Sequence, residues 1–357
     1  MSTCKLAIVG VGNCASSLLQ GLEYYKPSNR NSCGVMHEFI GDYSIADIET
    51  VAAFDVNTDK IGEPLSKAVW AEPNCTKKFS EVLSDVIVQK APLLDGLSSR
   101  MLGVIPTVEE VESEYKPLVR EYADKLAESG ATVLVSYLPV GSKRASIFWA
   151  EVCLSAGVAF VNAIPEFICS DVEWSKKFEE AGIPCAGDDI KSQIGATIVH
   201  RVLTSLIAER GHKLDGTYQL NIGGNTDFQN MQDEERLVSK RVSKTEAVTS
   251  MVDEYDLQAK IGPSDYVPHL KDNKVAYINF KGRQFGDIPF EMDIKLSVED
   301  SPNSAGVMID AIRMTQVALD RGLSGYQDFS TYFFKHPRDQ VKDSEARKIV
   351  DDFLSSK

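Results

Sequence analysis

The chain of 357 residues lacks most of the features that assign a protein to a class at sight. No apolar run reaches the roughly 18 residues that a membrane-crossing helix needs. The N-terminus has no charged, then apolar, then small-residue signal pattern, so the expected setting is the cytoplasm. Cysteine is present but unpaired in pattern. The seven (Cys4, Cys14, Cys33, Cys75, Cys153, Cys169, Cys185) are odd in number and show no zinc-type spacing, which fits a reduced compartment and small core fillers. The five histidines form no metal-ligand spacing, and no Gly-x-Ser-x-Gly turn suggests a serine hydrolase. Positive charge is scarce, with 38 Lys and Arg against 52 Asp and Glu for a net charge of −14. That balance argues against nucleic acid or an anionic membrane as partner, and it makes any local group of lysines notable. Internal repeats and low-complexity tracts are also missing.

What is present is a 43% apolar chain, long enough for one large core or two moderate ones. Lys5-Leu-Ala-Ile-Val-Gly10 reads as a buried strand. Gly10-Val-Gly12-Asn13-Cys14-Ala15 follows as a turn, and an apolar run from Leu18 begins a helix. This is the strand, turn and helix of a dinucleotide site with Ala15 in the third glycine position. Gly10 allows the tight turn, Gly12 lets backbone approach a pyrophosphate, and the helix end receives its charge. A second strand, Val51 to Asp55, ends in an acid suited to the ribose hydroxyls of NAD. Asp55 lies 43 residues beyond Gly12, against about 20 in the usual unit, so residues 26 to 50 are read as an inserted loop or flap.

Further strands are predicted at Thr132 to Leu138, Val158 to Ile164 and Ile183 to Ala186, with helices from Glu114 to Ser129 and Ser142 to Ala156. Alternating strands and helices imply an α/β fold with a doubly wound, Rossmann-type parallel sheet, whose ligands sit beyond the strands' carboxyl ends. Ser136, Tyr137 and Asn162 fall at such ends. After about residue 203 the texture changes: Phe290 to Val298 alternates strictly between apolar and polar, and Tyr218 to Ile222 and Ala276 to Lys281 also read as strands. A second, smaller α+β domain of mixed or antiparallel sheet is expected over 204–302. Residues 1–203 and 303–357 would form a discontinuous nucleotide-binding domain, with helices opening at Asn303 and Lys342.

Candidate chemistry concentrates in four places. Gly187-Asp188-Asp189-Ile190-Lys191-Ser192-Gln193 follows a strand end, and a helix is predicted to run from it to about Arg210. Lys191 and Ser192 would then lie in the helix's first turn, where free N–H groups suit an anion. The plainer alternative is that Asp188 and Asp189 cap the helix and Lys191 is solvated. Asn221 to Asp227 makes a glycine-loosened turn whose Asn221, Asn225 and Asp227 suit a polyhydroxy ligand or an ordinary Asx turn. Lys240 and Lys244 stand four apart, on one face if their segment is helical, and repel unless an anion sits between them. Lys274 opens a strand with Asp272 nearby. Lys335 follows the aromatic run Tyr332-Phe333-Phe334, where apolar surroundings would depress an amine pKa, or where it simply snorkels to the surface.

Five motifs, Val9 to Ser17, Gly187 to Gln193, Gly223 to Asp227, Ser239-Lys-x-x-Ser-Lys244 and Glu299-Asp-Ser301, stand in the order seen in the myo-inositol-1-phosphate synthase family. The chain resembles its short bacterial form over nearly its whole length. The resemblance implies conversion of D-glucose 6-phosphate to 1D-myo-inositol 3-phosphate with tightly held NAD, a divalent or monovalent cation, and a homotetramer assembled partly through the second domain. It implies Lys240, Lys244, Lys274 and Lys335 as active-site lysines and Asp189 and Asp227 as site carboxylates. Ser192 and Gln193, beside Lys191, match the phosphate-binding turn, and Asn221 and Asn225 lie on the substrate side. Asp188 and Asp300 are placed near the nicotinamide. Gln193 and Thr226 depart from the eukaryotic pattern, which has glycine and asparagine there.

The implied chemistry explains the lysines. Hydride leaves C5 of the open-chain sugar, the resulting ketone acidifies C6, the enolate attacks the C1 aldehyde, and the ketone is reduced again. Each stage develops negative charge on oxygen, which fixed ammonium groups stabilise. Lys274 and Lys240 are assigned to the C5 oxygen, Lys335 to the C1 oxygen, and Lys244 with Ser192 to the phosphate. No net redox occurs, so the class is isomerase. Two rivals remain, an ordinary NAD-dependent sugar or polyol-phosphate dehydrogenase and a non-enzymatic NAD-sensing module.

Overall fold

A computed structural model describes residues 3–26, 32–109, 114–252 and 257–356. Its first sheet contains β1 (Cys4–Val9), β2 (Ile48–Asp55), β3 (Val88–Lys90), β4 (Val133–Ser136), β5 (Ala159–Asn162) and β6 (Pro184–Ala186). The second contains β7 (Lys213–Gly223), β8 (Gln258–Tyr266), β9 (Asn273–Arg283) and β10 (Pro289–Glu299), after which β11 (Gly325–Tyr326) returns to the first. The first sheet is parallel with order β11-β6-β5-β4-β1-β2-β3. Chain order reverses between β1 and β4, which makes their carboxyl ends the switch point where such sheets bind ligands.

Burial follows from the pleat. In β1, Leu6 and Ile8 face a core shared with the helices Asn13–Tyr24 and Asp300–Asp320. Ala7 and Val9 face the opposite core, where Phe148 and Trp149 of the helix Lys143–Ala156 pack. Both faces are covered, so β1 reads as a continuous apolar run. The second sheet, β10-β9-β7-β8, is mixed, with β7 and β8 parallel and the other pairs antiparallel. One face of it, with Ala276, Ile278 and Phe280, packs on Ala196 and Ile207 of the helix Ala196–Glu209. The architecture is therefore the α/β, doubly wound Rossmann-type sheet with a smaller second sheet that the sequence predicts.

Three local expectations are corrected. The helix after β6 begins at Ala196, not near Lys191. Asp189 adopts the left-handed region (φ 62°), and residues 188–191 pair with 333–336 instead of starting a helix. Lys191 N donates to Phe333 O, Lys335 N to Asp189 O, and Asp188 and His336 exchange main-chain bonds. Those groups are then already occupied, so α-helical bonding starts only after Gly195. Secondly, residues 32–47 are not a free flap. The Arg313 guanidinium donates to the carbonyls of His37, Glu38 and Tyr43, and Asp310 holds His37 Nδ1 at 2.5 Å. Residues 27–31 of the expected insertion lie outside the described residues. Thirdly, the helix expected from Asn303 opens at Asp300, directly off β10. The expected divisions at 203/204 and 302/303 each fall inside a helix, so the two sheets are joined through packed elements and not linkers.

Candidate active site

The turn after β1 is shaped by two glycines. Gly10 has φ +89°, and a Cβ there would lie 2.5 Å from the Tyr137 carbonyl oxygen. At Gly12, the N-cap of Asn13–Tyr24, a Cβ would meet nothing within 4 Å and no side chain caps the helix. The helix's first amides thus face open space, the condition for a bound anion. Ala15 is fully buried in the core, which brings helix and sheet close. The Asn13 side chain is turned to the protein: its Oδ1 accepts from Cys75 N and Thr76 N. Cys14 lies near Ser301 and Ser304, and burial first, then Asp272 and Asp300, push its thiol up to about 12, so it stays neutral. Asp55 ends β2 as expected and accepts from Val11 N at 2.7 Å and Asn57 N at 2.8 Å. Lys60, which sequence reading missed, donates to Val11 O and Asn74 Oδ1.

A cavity of about 250 Å³ runs from this turn to the second sheet. Gly10, Gly12, Asn13, Cys14, Asp55 and Tyr137 line one part of it. Asp189, Ser192, Asn225, Asp227, Lys240, Lys244, Lys274, Asp300 and Lys335 line the rest. Residues as far apart in the chain as Gly10 and Lys335 share this one space.

The lysines differ in their partners. Lys240 Nζ lies 2.8 Å from Asp227, Lys274 Nζ 3.0 Å from Asp300, and Lys335 Nζ 2.8 Å from Asp189. Among the described residues, Lys244 has neither an ion pair nor a hydrogen bond from its amine. Lys240 and Lys244 lie on the helix Val238–Thr249, both buried, as the four-residue spacing requires. Burial lowers the Lys240 pKa, but Asp227 and Asp189 outweigh it and the group is raised overall. Burial holds Lys335 below its ordinary range despite Asp189. Lys244 is pushed well below it by burial and then by Lys240, Lys274 and Lys335. Burial would raise Asp189 and Asp300, yet the neighbouring ammonium groups hold both below the usual carboxylate range. Asp189 also accepts from Ser243 Oγ at 2.6 Å. Asp272, bonded to Asn225 and Ser301, is raised to about 6 by burial.

A small adjoining hollow lies at the start of the helix Ala196–Glu209. Ser192, Gly195, Ala196, Thr197, Gln219 and Asn221 line it with Lys244, Lys274 and Lys335. Gly195 caps this helix without a side-chain acceptor, so its first amides also open on the hollow. Gly195, Ala196 and Thr197 were missed because the helix was expected to start earlier.

Several expected site residues point elsewhere. Asp188 is fully buried and accepts from Asn162 Nδ2, the backbone N–H groups of Ile168, Cys169 and Ser170, and Ser170 Oγ. It holds the 166–170 loop and lines neither space. Lys191 is buried away from the cavity, donating to Thr331 O at 2.8 Å, and burial and Arg201 push it down to about 7. Gln193 reaches out to Gly34 O and packs against Gly306, where a Cβ would stand 2.4 Å from its amide. Ser136 is buried beneath the turn and does not line the cavity. Asn225 lines it but is occupied, capping Thr226–Asn230 through Asp227 N and Phe228 N. Asn221 Nδ2 donates to Gly262 O from the wall of the small hollow. Among the described residues no group of three or more His, Cys, Asp or Glu is arranged to hold a metal ion, so no cation site is assigned.

Known proteins resemble this chain over nearly its whole length. The family model of myo-inositol-1-phosphate synthase matches residues 195–301. The inositol-3-phosphate synthase of Corynebacterium glutamicum is 49% identical over 99% of this chain and 98% of its own. That of Mycobacterium tuberculosis is 49% identical over 98% of this chain and 95% of its own. A crystal structure of a myo-inositol-1-phosphate synthase-related protein from Thermotoga maritima shares the fold, with a TM-score of 0.84 at 24% identity over 99% of each chain. No helix among the described residues is long and apolar enough to cross a membrane. The chain belongs to the myo-inositol-1-phosphate synthase family.

Proposed function

We propose that this protein is an NAD-dependent isomerase that converts D-glucose 6-phosphate to 1D-myo-inositol 3-phosphate. The observation that carries the reading is the single cavity joining a dinucleotide-type turn to four lysines, three of them paired with carboxylates. NAD fits the first part: Gly12 leaves room for a pyrophosphate and Asp55 stands where ribose hydroxyls are read. When bound there, NAD supplies the acceptor and donor of hydride.

The chain's own residues then bind and hold protons. Lys244, which has no carboxylate partner among the described residues, pairs with the sugar phosphate, together with Ser192 and the amides at Gly195 to Thr197. Lys274 and Lys240, paired with Asp300 and Asp227, stabilise the C5 oxygen. Lys335, its pKa depressed by burial, is poised to give and take a proton at the C1 oxygen. Asp189 holds Lys335 by both main chain and side chain. We also propose a cytoplasmic homotetramer, built partly through the second sheet, whose outer face exposes Tyr218, Leu220 and Tyr277.

Incubation with glucose 6-phosphate and catalytic NAD, read by phosphorus NMR, tests the function. Inositol phosphate should form without accumulation of NADH. Accumulating NADH would instead indicate an ordinary sugar-phosphate dehydrogenase, and NAD binding with no turnover a sensing module. Light scattering in solution tests the tetramer.

A further inference from the structure

Arg236 belongs to the short 3-10 helix Glu234–Leu237, immediately before the helix that carries Lys240 and Lys244. Its guanidinium does not form an ion pair within this segment but crosses to two loops at the carboxyl ends of β3 and β4. Nε donates to Val140 O at 2.9 Å, Nη1 to Asp95 O at 2.9 Å, and Nη2 to Gly96 O at 3.4 Å and Ser142 Oγ at 3.3 Å. Gly96, Pro139 and Val140 line the part of the cavity near the Gly10 turn.

Other features converge on the same junction. Gly141 has φ +83°, and a Cβ there would stand 2.7 Å from Arg236 Cβ, so the close approach requires glycine. Asn230, from the same stretch of chain as Arg236, gives a second bond to Val140 O. Val140 packs in an apolar cluster with Phe228, Met231 and Leu237. The Asp95 carboxylate is engaged elsewhere, accepting from Arg144 N and Ala145 N at the start of the helix Lys143–Ala156. Only a planar fork of several N–H groups reaches four acceptors on two loops at once; a lysine ammonium does not.

We infer that Arg236 is a positioning residue that sets the register between the cofactor-side loops and the Asp227–Lys240 pair. This rests on the functional reading above. It touches neither substrate nor reacting atoms in that reading; it fixes the wall of the nucleotide cleft relative to the segment bearing the lysines.

The test uses the full chain with Arg236→Ala and Arg236→Lys, measuring NAD binding by calorimetry and steady-state rates. Losing charge-assisted bonds should raise the Kd for NAD by on the order of tenfold or more in both variants. The kcat should fall while the KM for glucose 6-phosphate stays at its wild-type value, and added methylguanidinium should restore part of the loss in Arg236→Ala. A folded variant with unchanged Kd and kcat overturns the inference. If Arg236→Ala does not fold, Arg236→Lys decides by the same criteria. Wild-type protein that takes up no NAD overturns the functional reading and this inference together.

Discussion

The turns after β1 and β6 open on one cavity but offer it different chemistry. The first passes from Gly12 straight into its helix, and the Asn13 side chain is turned back onto Cys75 and Thr76. What it presents is mainly backbone, beside a neutral thiol, the acid Asp55 and the Lys60 amine that donates to Val11 O. The second spends residues 187–195 reaching its helix and divides its polar side chains. Asp188, Lys191 and Gln193 hold neighbouring loops, while Asp189 and Ser192 face the cavity among four lysines. A backbone site of this kind suits a diffuse pyrophosphate held for many turnovers. A site built from side chains suits a compact dianion and oxygens whose charge changes during reaction. In the proposed function, the same fold position, beyond a parallel strand, serves binding at one turn and proton chemistry at the other.

The sharpest way to break this contrast is to remove a lysine from the second region alone. Lys274→Ala should lower turnover by about three orders of magnitude, the scale of positioned acid–base groups, with the Kd for NAD unchanged. A near-normal rate would remove Lys274 from the chemistry.

A slightly smaller effect concerns pH. His200, in the helix after the second turn, is pushed down by burial from 6.5 to about 4. Its ring nitrogens lie 3.2 Å from Gln219 Oε1 and 2.7 Å from Thr217 Oγ1. As pH falls from 6.5 the unfolded chain takes up a proton that the folded chain refuses until about 4. Roughly 3 kcal/mol of stability should therefore be present above pH 6.5 and lost across that window. Urea unfolding of His200→Gln should show a correspondingly shallower loss; an identical pH slope would contradict the assignment.

The first region is tested by Asp55→Ala, which should weaken NAD binding by about tenfold through loss of a ribose acceptor and of the bonds to Val11 and Asn57. The mildest test separates Ser192 from its neighbour. Ser192→Ala should raise the KM for glucose 6-phosphate, whereas Gln193→Ala should leave it unchanged and cost about 1 kcal/mol of stability through the bond to Gly34. The reverse pattern would return the phosphate to Gln193.

These two turns also mark how far the sequence could be read. The first is local: strand, glycines and helix are adjacent, and the apolar run of β1 announces a strand buried on both faces. The strict alternation of β10 was equally plain, because one face packs on Ala196–Glu209 and the other is wet. The edge strand β8 was not, since Gly262 and Pro263 interrupt any period. At the second turn, the late helix start depends on pairing with residues 333–336, and Lys191 is buried by Thr331, 140 positions away. Local propensity carries no trace of such contacts. The family resemblance named the four lysines, but only the three-dimensional arrangement distinguishes Lys244 from the three that have carboxylate partners.

The central claim, that one turn holds NAD and the other the sugar phosphate within one cavity, is tested most directly with glucose 6-phosphate deuterated at C5. The account predicts inositol phosphate that retains deuterium at the corresponding carbon when unlabelled NAD is present in excess, because hydride leaves and returns without exchange. Product that has lost the label to the bulk NAD pool, or labelled NADH accumulating without inositol phosphate, would contradict it.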